Sequence, residues 1–200
     1  MKRLPIGVEN FKTMIDKDFY YVDKTSFIQD VLNEEVILYT RPRRFGKTLN
    51  MSMLYYFFSI KEKEHADLFH GLSIMSNPKA LTYQNRYPVI FLTLKDMKNN
   101  TFEKQLKMFS KIIVNIIEAF PELWNSDKLS SASLKTIEMY HEGAQEEIDL
   151  QVSLQFIAQC LMQHYGKKVI IIIDEYDVPL QSAYLNGYYD DMVNFLRNVF

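Results

Sequence analysis

Apolar residues recur every three or four positions in several parts of the chain, which is the spacing of an amphipathic helix. The longest such pattern ends before Pro121 and consists of Phe102, Leu106, Phe109, Ile113, Ile116 and Phe120. Residues 27–32 and 151–164 show the same spacing, the second ending at Gly166, and a shorter helix is expected near residues 133–141. Asp23 or Thr25 is expected to cap the helix predicted for residues 27–32.

Three short apolar runs predict strands instead. Residues 36–39 lack alternation, as expected of a strand covered on both faces, and residues 87–95 and 168–174 follow as the second and third strands. Residues 48–60 are apolar nearly all round, which predicts a buried helix. Strands that alternate in this way with helices indicate an α/β domain with a parallel sheet.

Composition adds few constraints. Two hundred residues with 48% hydrophobic and 24% charged side chains are typical of one globular domain, and a net charge of −2 favours no particular partner. Cys160 is the single cysteine and lies in an apolar helical pattern, so we expect a buried thiol and a reducing compartment. With no signal-peptide pattern and no apolar run near 20 residues, we expect a cytoplasmic protein without a membrane partner.

The sequence Gly46-Lys47-Thr48 follows the first predicted strand and opens the first long predicted helix. In a phosphate-binding loop, the glycine would permit close backbone approach, Lys47 would reach the terminal phosphates and the Thr48 hydroxyl would ligate Mg²⁺. Arg41 stands where the usual pattern has its first glycine, so a plain basic turn is the alternative. Arg43 and Arg44 would neutralise phosphate, contact a partner or form a solvated loop face.

Asp174 and Glu175 come directly after the third predicted strand. Two carboxylates at the end of a buried strand are costly unless a cation lies there, and Mg²⁺ on a nucleoside triphosphate would supply it. Asp174 would then hold the metal and Glu175 would polarise the attacking water. The alternative is that Asp174 caps the next turn and Glu175 is solvated. Asp177 would pair with an arginine of the loop or only terminate the strand.

Four segments in this order resemble the bacterial AAA-ATPase-like family of P-loop proteins: Tyr21–Thr25, Arg41–Thr48, Tyr87–Ile90 and Asp174–Asp177. The resemblance runs from Leu4 to Phe200, and the family's own loop also lacks the first glycine. It implies an α/β P-loop NTPase core with a mainly parallel sheet flanked by helices, incomplete at its C-terminus. Residues 1–200 would be this domain, with residues 1–32 preceding the phosphate-loop strand, as the N-terminal part of a longer protein.

The resemblance implies ATP and Mg²⁺ as ligands. Lys47 and Glu175 would be catalytic, and Thr48 and Asp174 would bind the metal. The expected nucleotide-binding residues are Arg43, Arg44, Phe45, Gly46, Lys47, Thr48 and Leu49. The segment Tyr21–Thr25 would line the adenine pocket.

We therefore expect a Mg-dependent ATPase, with a nucleotide-gated binding module of little turnover as the alternative. Family members often carry a C-terminal nuclease-like domain of the PD-(D/E)xK type, which is absent from these residues and would bring a nucleic-acid partner. Oligomerisation is left open.

Overall fold

The computed structural model describes residues 2–40, 42, 45–143 and 145–200. Their contacts divide the chain into two compact units, Met1–Val89 and Ile90–Phe200. No helix within these described residues combines the length and the apolar character that a bilayer crossing requires.

The first unit is helical. Its α-helices are α1 (Phe11–Asp16), α2 (Phe27–Leu32), α3 (Lys47–Phe58) and α4 (Pro78–Leu81). Two 3₁₀ helices, Ile60–Phe69 and Ser73–Ser76, lie between α3 and α4. The aromatic rings at the centre of this unit are fully buried, and Phe69 packs on Phe11 and Phe57 with centroids 5.1 and 5.2 Å apart. These contacts explain why α3 is apolar nearly all round, as predicted.

The second unit contains the sheet. Strands β1 (Val89–Thr93) and β2 (Ile170–Asp174) are parallel neighbours, and the long helices between them are α5 (Phe102–Glu118), α6 (Ser131–His141) and α7 (Glu147–Tyr165). The 3₁₀ helix Pro121–Asn125 separates α5 from α6, and α8 (Val178–Asn186) and α9 (Tyr189–Val199) follow β2. This small parallel sheet flanked by helices agrees with the α/β class.

The long predicted helices and two of the three predicted strands are confirmed. Helix α5 ends before Pro121 as predicted, and α7 stops at Gly166, whose φ of 64° is the left-handed conformation that ends many helices. One prediction for β2 is wrong in part, because Ile172 and Asp174 are buried whereas Ile171 remains 39% exposed. The strand is therefore covered on one face.

The strand predicted for residues 36–39 is wrong. Within the described part of the chain these residues pair with no strand, and Val36 is 90% exposed and Leu38 69% exposed. A run of apolar residues reports a tendency to be buried, but a strand also needs a neighbour that takes its backbone hydrogen bonds. The sheet consequently has two strands in the described residues.

Candidate functional site

Helix α3 begins immediately after a glycine whose conformation only glycine adopts readily. Gly46 has φ 75° and ψ 28°, in the left-handed region, and its carbonyl accepts the first helical hydrogen bond from the Asn50 amide at 3.0 Å. Gly46 has no side chain to cap the first amides of the helix, and the first turn contains no acidic residue. The positive end of the helix is therefore available to an anion.

Lys47 and Thr48 are the first two residues of α3, so the structure places both at this positive end. The helix itself is fixed firmly, because Met53 and Phe57 are fully buried and the Ser52 hydroxyl accepts a hydrogen bond from the Phe11 amide at 3.0 Å. A helix held in this way keeps its first turn in one place. The arrangement fits the predicted phosphate-binding roles of Lys47 and Thr48.

The remaining residues predicted for nucleotide binding fall into two groups. Arg43 and Arg44 lie outside the described residues, as does Arg41 at the position of the usual first glycine. Phe45 is 58% exposed, and Leu49 is half-buried in the first turn of α3. An exposed phenylalanine beside a basic helix end is an unusual surface residue, since phenylalanine is ordinarily buried.

The predicted carboxylates stand at the C-terminal end of β2. Asp174 is the last residue of the strand and only 5% exposed, and its carbonyl accepts a hydrogen bond from the Leu94 amide at 2.9 Å, just beyond the end of β1. The sheet therefore fixes the backbone of Asp174. Ligands of parallel sheets bind at this carboxyl end, where the strands stop.

Glu175 follows Asp174 with a strained backbone. Its φ is 56°, in the left-handed region, although glutamate is neither a glycine nor one of the polar residues that enter this region with little cost. Such strain persists only where the surrounding structure enforces it, and it concentrates at functional sites. The side chain is half-buried. This backbone feature supports a functional role for Glu175 independently of the sequence motif.

Asp177 lies at the start of α8, where the Gln181 side-chain amide donates a hydrogen bond to its carboxylate at 2.6 Å. It also lines an open, mostly apolar groove of about 450 Å³ between α8 and α9, together with Leu180, Gln181, Tyr184, Leu185 and Tyr189. Asp177 thus precedes α8, three residues after β2 has ended at Asp174, so the prediction that it terminates the strand is wrong; its carboxylate has a local partner.

The segment Tyr21–Thr25 makes structural contacts with the 3₁₀ helix Ser73–Ser76, and its expected place in an adenine pocket stays a prediction. The Asp23 carboxylate accepts hydrogen bonds from the Thr25 amide and hydroxyl at 2.8 and 2.7 Å and from the Ser73 amide at 2.7 Å. Burial alone would raise the pKa of Asp23, but the hydrogen bonds from Ser73 and Thr25 outweigh it and hold that pKa below its ordinary value. Neither Asp23 nor Thr25 caps α2, whose N-cap is Ser26.

The two predicted motifs belong to different units, Lys47 and Thr48 to the first, Asp174 and Glu175 to the second. Within the part of the chain that the structure describes, no group of three or more His, Cys, Asp or Glu side chains is arranged around a common metal position. A magnesium ion that serves a nucleotide does not need such a cage, because it binds one or two protein ligands and takes the rest from phosphates and water. The Thr48 hydroxyl and the Asp174 carboxylate are each an oxygen donor of the kind that such an ion takes.

Comparison with known proteins agrees with the resemblance stated above. A family model described as "Predicted AAA-ATPase" matches residues 5–200. A protein of Azotobacter chroococcum mcd 1, named "Uncharacterized protein in vnfD 5'region", is 36% identical over 91 residues, which are 44% of this chain and 16% of that relative. The match thus spans a small part of the relative's length. No solved structure matches the chain.

Proposed function

Since the chain belongs to the predicted AAA-ATPase family, we propose that it binds ATP together with Mg²⁺ and contributes the residues that hydrolyse it. The observation that carries this proposal is the start of α3, where a left-handed Gly46 precedes Lys47 and Thr48 at the positive end of a buried helix. Backbone amides and a lysine at a helix N-terminus are the groups that hold a polyphosphate in P-loop proteins.

Each residue has a distinct task in this proposal. The first-turn amides of α3 bind phosphate oxygens, Lys47 binds the terminal phosphates and Thr48 presents its hydroxyl to the magnesium ion. The bound magnesium neutralises phosphate charge. Asp174 holds the metal, directly or through water, and Glu175 orients and polarises the attacking water. That the carboxylates serve the same nucleotide as Lys47 is inferred from the family and from the order of the motifs.

Removal of the lysine tests the binding part of the proposal. We expect Lys47→Ala to weaken Mg-ATP binding by about tenfold to a hundredfold, because a charged hydrogen bond to the phosphates is lost. The matched control is Lys63→Ala, which removes an exposed lysine of the same unit. Isothermal titration of both variants gives the comparison, and equal affinity of Lys47→Ala and the wild-type chain would contradict the assignment.

Glu175→Gln separates hydrolysis from the alternative of a nucleotide-gated binding module. An ATPase loses turnover in this variant and still binds ATP, since the amide cannot polarise water but occupies the same space. A binding module with negligible turnover shows no kinetic difference between Glu175→Gln and the wild-type chain. Phosphate release from Mg-ATP measures the outcome, with Glu142→Gln as the control for loss of an exposed carboxylate in the same unit.

A further inference from the structure

The groove between α8 and α9 follows one face of α8. Asp177, Leu180, Gln181 and Tyr184 line it and lie three or four positions apart, so their side chains share one face over about two turns. Tyr189, the first residue of α9, also lines the groove, and its ring meets that of Tyr184 edge to face with centroids 6.1 Å apart. The groove therefore has the linear shape of a helix face.

The apolar side chains at the C-terminal end of α8 are unusually exposed. Tyr184 is 75% exposed and Leu185 is 81% exposed, and both line the groove. The buried residues of this helix are Pro179, Ser182 and Ala183, which lie on its other side. Helix α8 is thus packed into the unit through one face and presents a second, mostly apolar face outward. Exposed apolar surface of this kind marks an interaction site.

The charges that accompany the groove have one sign. Asp177 lines it, and Asp190 and Asp191 are exposed in the first turn of α9, directly after Tyr189. The sequence contains no lysine or arginine between Lys168 and Arg197. An apolar groove with only carboxylates beside it is complementary to a partner that combines apolar side chains with positive charge.

We propose that this groove binds a short amphipathic helix of another protein, with large apolar anchors at i, i+3 or i+4 and i+7 and with lysine or arginine beside them. Such anchors span about 10 Å along a helix, which is the length of the stripe from Asp177 to Tyr184. The carboxylates disfavour nucleic acid and anionic lipid, because they repel phosphate groups. This binding does not depend on the proposed ATP-binding function.

A pair of synthetic peptides tests the recognition directly. The probe is a fluorescein-labelled helical peptide of about 14 residues, with leucine at the anchor positions and lysine at the flanking ones. Its partner peptide has glutamate in place of every lysine. We expect fluorescence anisotropy to show saturable binding of the lysine peptide and about tenfold weaker binding of the glutamate peptide. No binding of the lysine peptide, or equal binding of both peptides, overturns the proposal.

Leu185→Gln tests whether the peptide occupies this groove. Because Leu185 is so exposed, its replacement leaves no cavity, and a thermal melt verifies that the variant folds. We expect Leu185→Gln to weaken binding of the lysine peptide by about tenfold, since one apolar contact is lost. The matched control is Ile148→Gln, which removes a 67% exposed apolar side chain from α7 of the same unit and should leave the affinity unchanged. Equal affinity of Leu185→Gln and the wild-type chain overturns the assignment of the groove.

The acidic side chains are tested by the double variant Asp190→Asn, Asp191→Asn. We expect it to weaken binding of the lysine peptide by about threefold to tenfold and to reduce the loss of affinity caused by added salt. The control is Glu147→Gln, an exposed acid in the first turn of α7, which should change neither quantity. An affinity that is unchanged in the double variant overturns the predicted positive charge of the partner.

Two other occupants are distinguished by separate measurements. If the wild-type chain self-associates in sedimentation and Leu185→Gln is a monomer, the groove is an interface between copies of this chain, and the proposal is overturned. Binding to vesicles of phosphatidylserine that Leu185→Gln abolishes would identify a lipid surface and would overturn it as well. A wild-type chain that remains monomeric and ignores these vesicles, but binds the lysine peptide through Leu185, supports the helical partner.

Discussion

The Asp23 carboxylate accepts a hydrogen bond at 2.7 Å from the backbone amide of Ser73, a residue 50 positions later in the chain. The Ser73 hydroxyl donates to the same carboxylate oxygen. Thr25 continues the connection, because it is fully buried and its hydroxyl accepts from the Ile74 amide at 3.1 Å. Together these hydrogen bonds attach the segment before α2 to the 3₁₀ helix Ser73–Ser76.

This attachment makes the stability of the chain depend on pH. Although burial opposes the effect, the hydrogen bonds hold the pKa of Asp23 below its ordinary value, so the folded state favours the ionised carboxylate. The resulting stabilisation is complete above the unfolded pKa of about 4 and is lost as the pH falls through the lower folded pKa. Because Asp23 is largely exposed, we expect the contribution to be about 1 kcal/mol.

Asp23→Asn should lower the free energy of unfolding by about 1 kcal/mol at pH 7, since an amide NH₂ would face the Ser73 donors. The difference in unfolding free energy between this variant and the wild-type chain should decrease as the pH falls from 5 to 2, because Asp23 becomes protonated in this range. Urea unfolding across this pH range measures it. Asp30→Asn, which alters an exposed acid on α2, serves as the control. A difference that stays constant with pH would show that ionisation of Asp23 does not contribute.

The backbone strain at Glu175 gives a second prediction. A left-handed conformation costs a residue with a side chain about 1–2 kcal/mol. Glycine avoids this cost, but it lowers the stability by about 0.5–1 kcal/mol because it has more conformational freedom to lose on folding. Glu175→Gly should therefore raise the free energy of unfolding by about 0.5–1 kcal/mol over Glu175→Ala, which lacks the same carboxylate but keeps the strain. Urea unfolding of the two variants gives the comparison, and a less stable glycine variant would rule out strain at this position.

Gly46 is a glycine in the same left-handed region, so here a side chain should lower the stability. No described heavy atom lies within 4 Å of a Cβ added there, so a larger residue meets no steric obstacle, and only the φ of 75° opposes it. We expect Gly46→Ala to cost about 1 kcal/mol in the nucleotide-free chain and Gly46→Asn about half of that, because asparagine tolerates the left-handed region. Thermal or urea unfolding distinguishes the two variants. Equal costs would mean that the backbone conformation is not what selects glycine.

The sequence predicted those features whose signal is local or periodic. Helices α5 and α7 repeat their apolar positions over several turns, and β2 is a continuous apolar run, so their existence follows from the pattern. The sequence also placed Lys47 at a helix start and Asp174 at a strand end, because each motif adjoins the element that presents it. The prediction of a nucleic-acid partner through a nuclease-like domain stays a prediction from the resemblance.

Other features left no such signal. The segment 36–39 has the composition of a strand, but composition does not specify which neighbour would pair with it. The hydrogen bonds of Asn50 to Tyr39 and of Ser73 to Asp23 join polar residues that are 11 and 50 positions apart in sequence and belong to no repeating pattern. An isolated asparagine inside an apolar helix was the one available sign, since a buried amide requires a partner.

A buried polar network in the second unit holds the loop after β1 against the helices that follow Glu175. Gln105 is fully buried, and its side-chain amide donates to the Met97 carbonyl and to the Tyr188 hydroxyl, each at 3.0 Å. The Tyr188 hydroxyl donates in turn to the Asn99 carbonyl, which also accepts from the Ser182 hydroxyl at 3.0 Å. The network thus joins α5, α8 and Tyr188, the residue before α9, to residues 97–99.

Because these groups share partners, their contributions to stability should not add. We expect Gln105→Leu and Tyr188→Phe each to lower the free energy of unfolding by about 1–3 kcal/mol, since each removes hydrogen bonds between buried polar groups. The double variant should lose less than the sum, by about 0.5–3 kcal/mol, in a urea-unfolding cycle. Ser130→Ala, which removes the cap of α6, is the control and should add to Gln105→Leu within about 0.5 kcal/mol. An additive Gln105–Tyr188 pair would mean that the two side chains stabilise the unit separately.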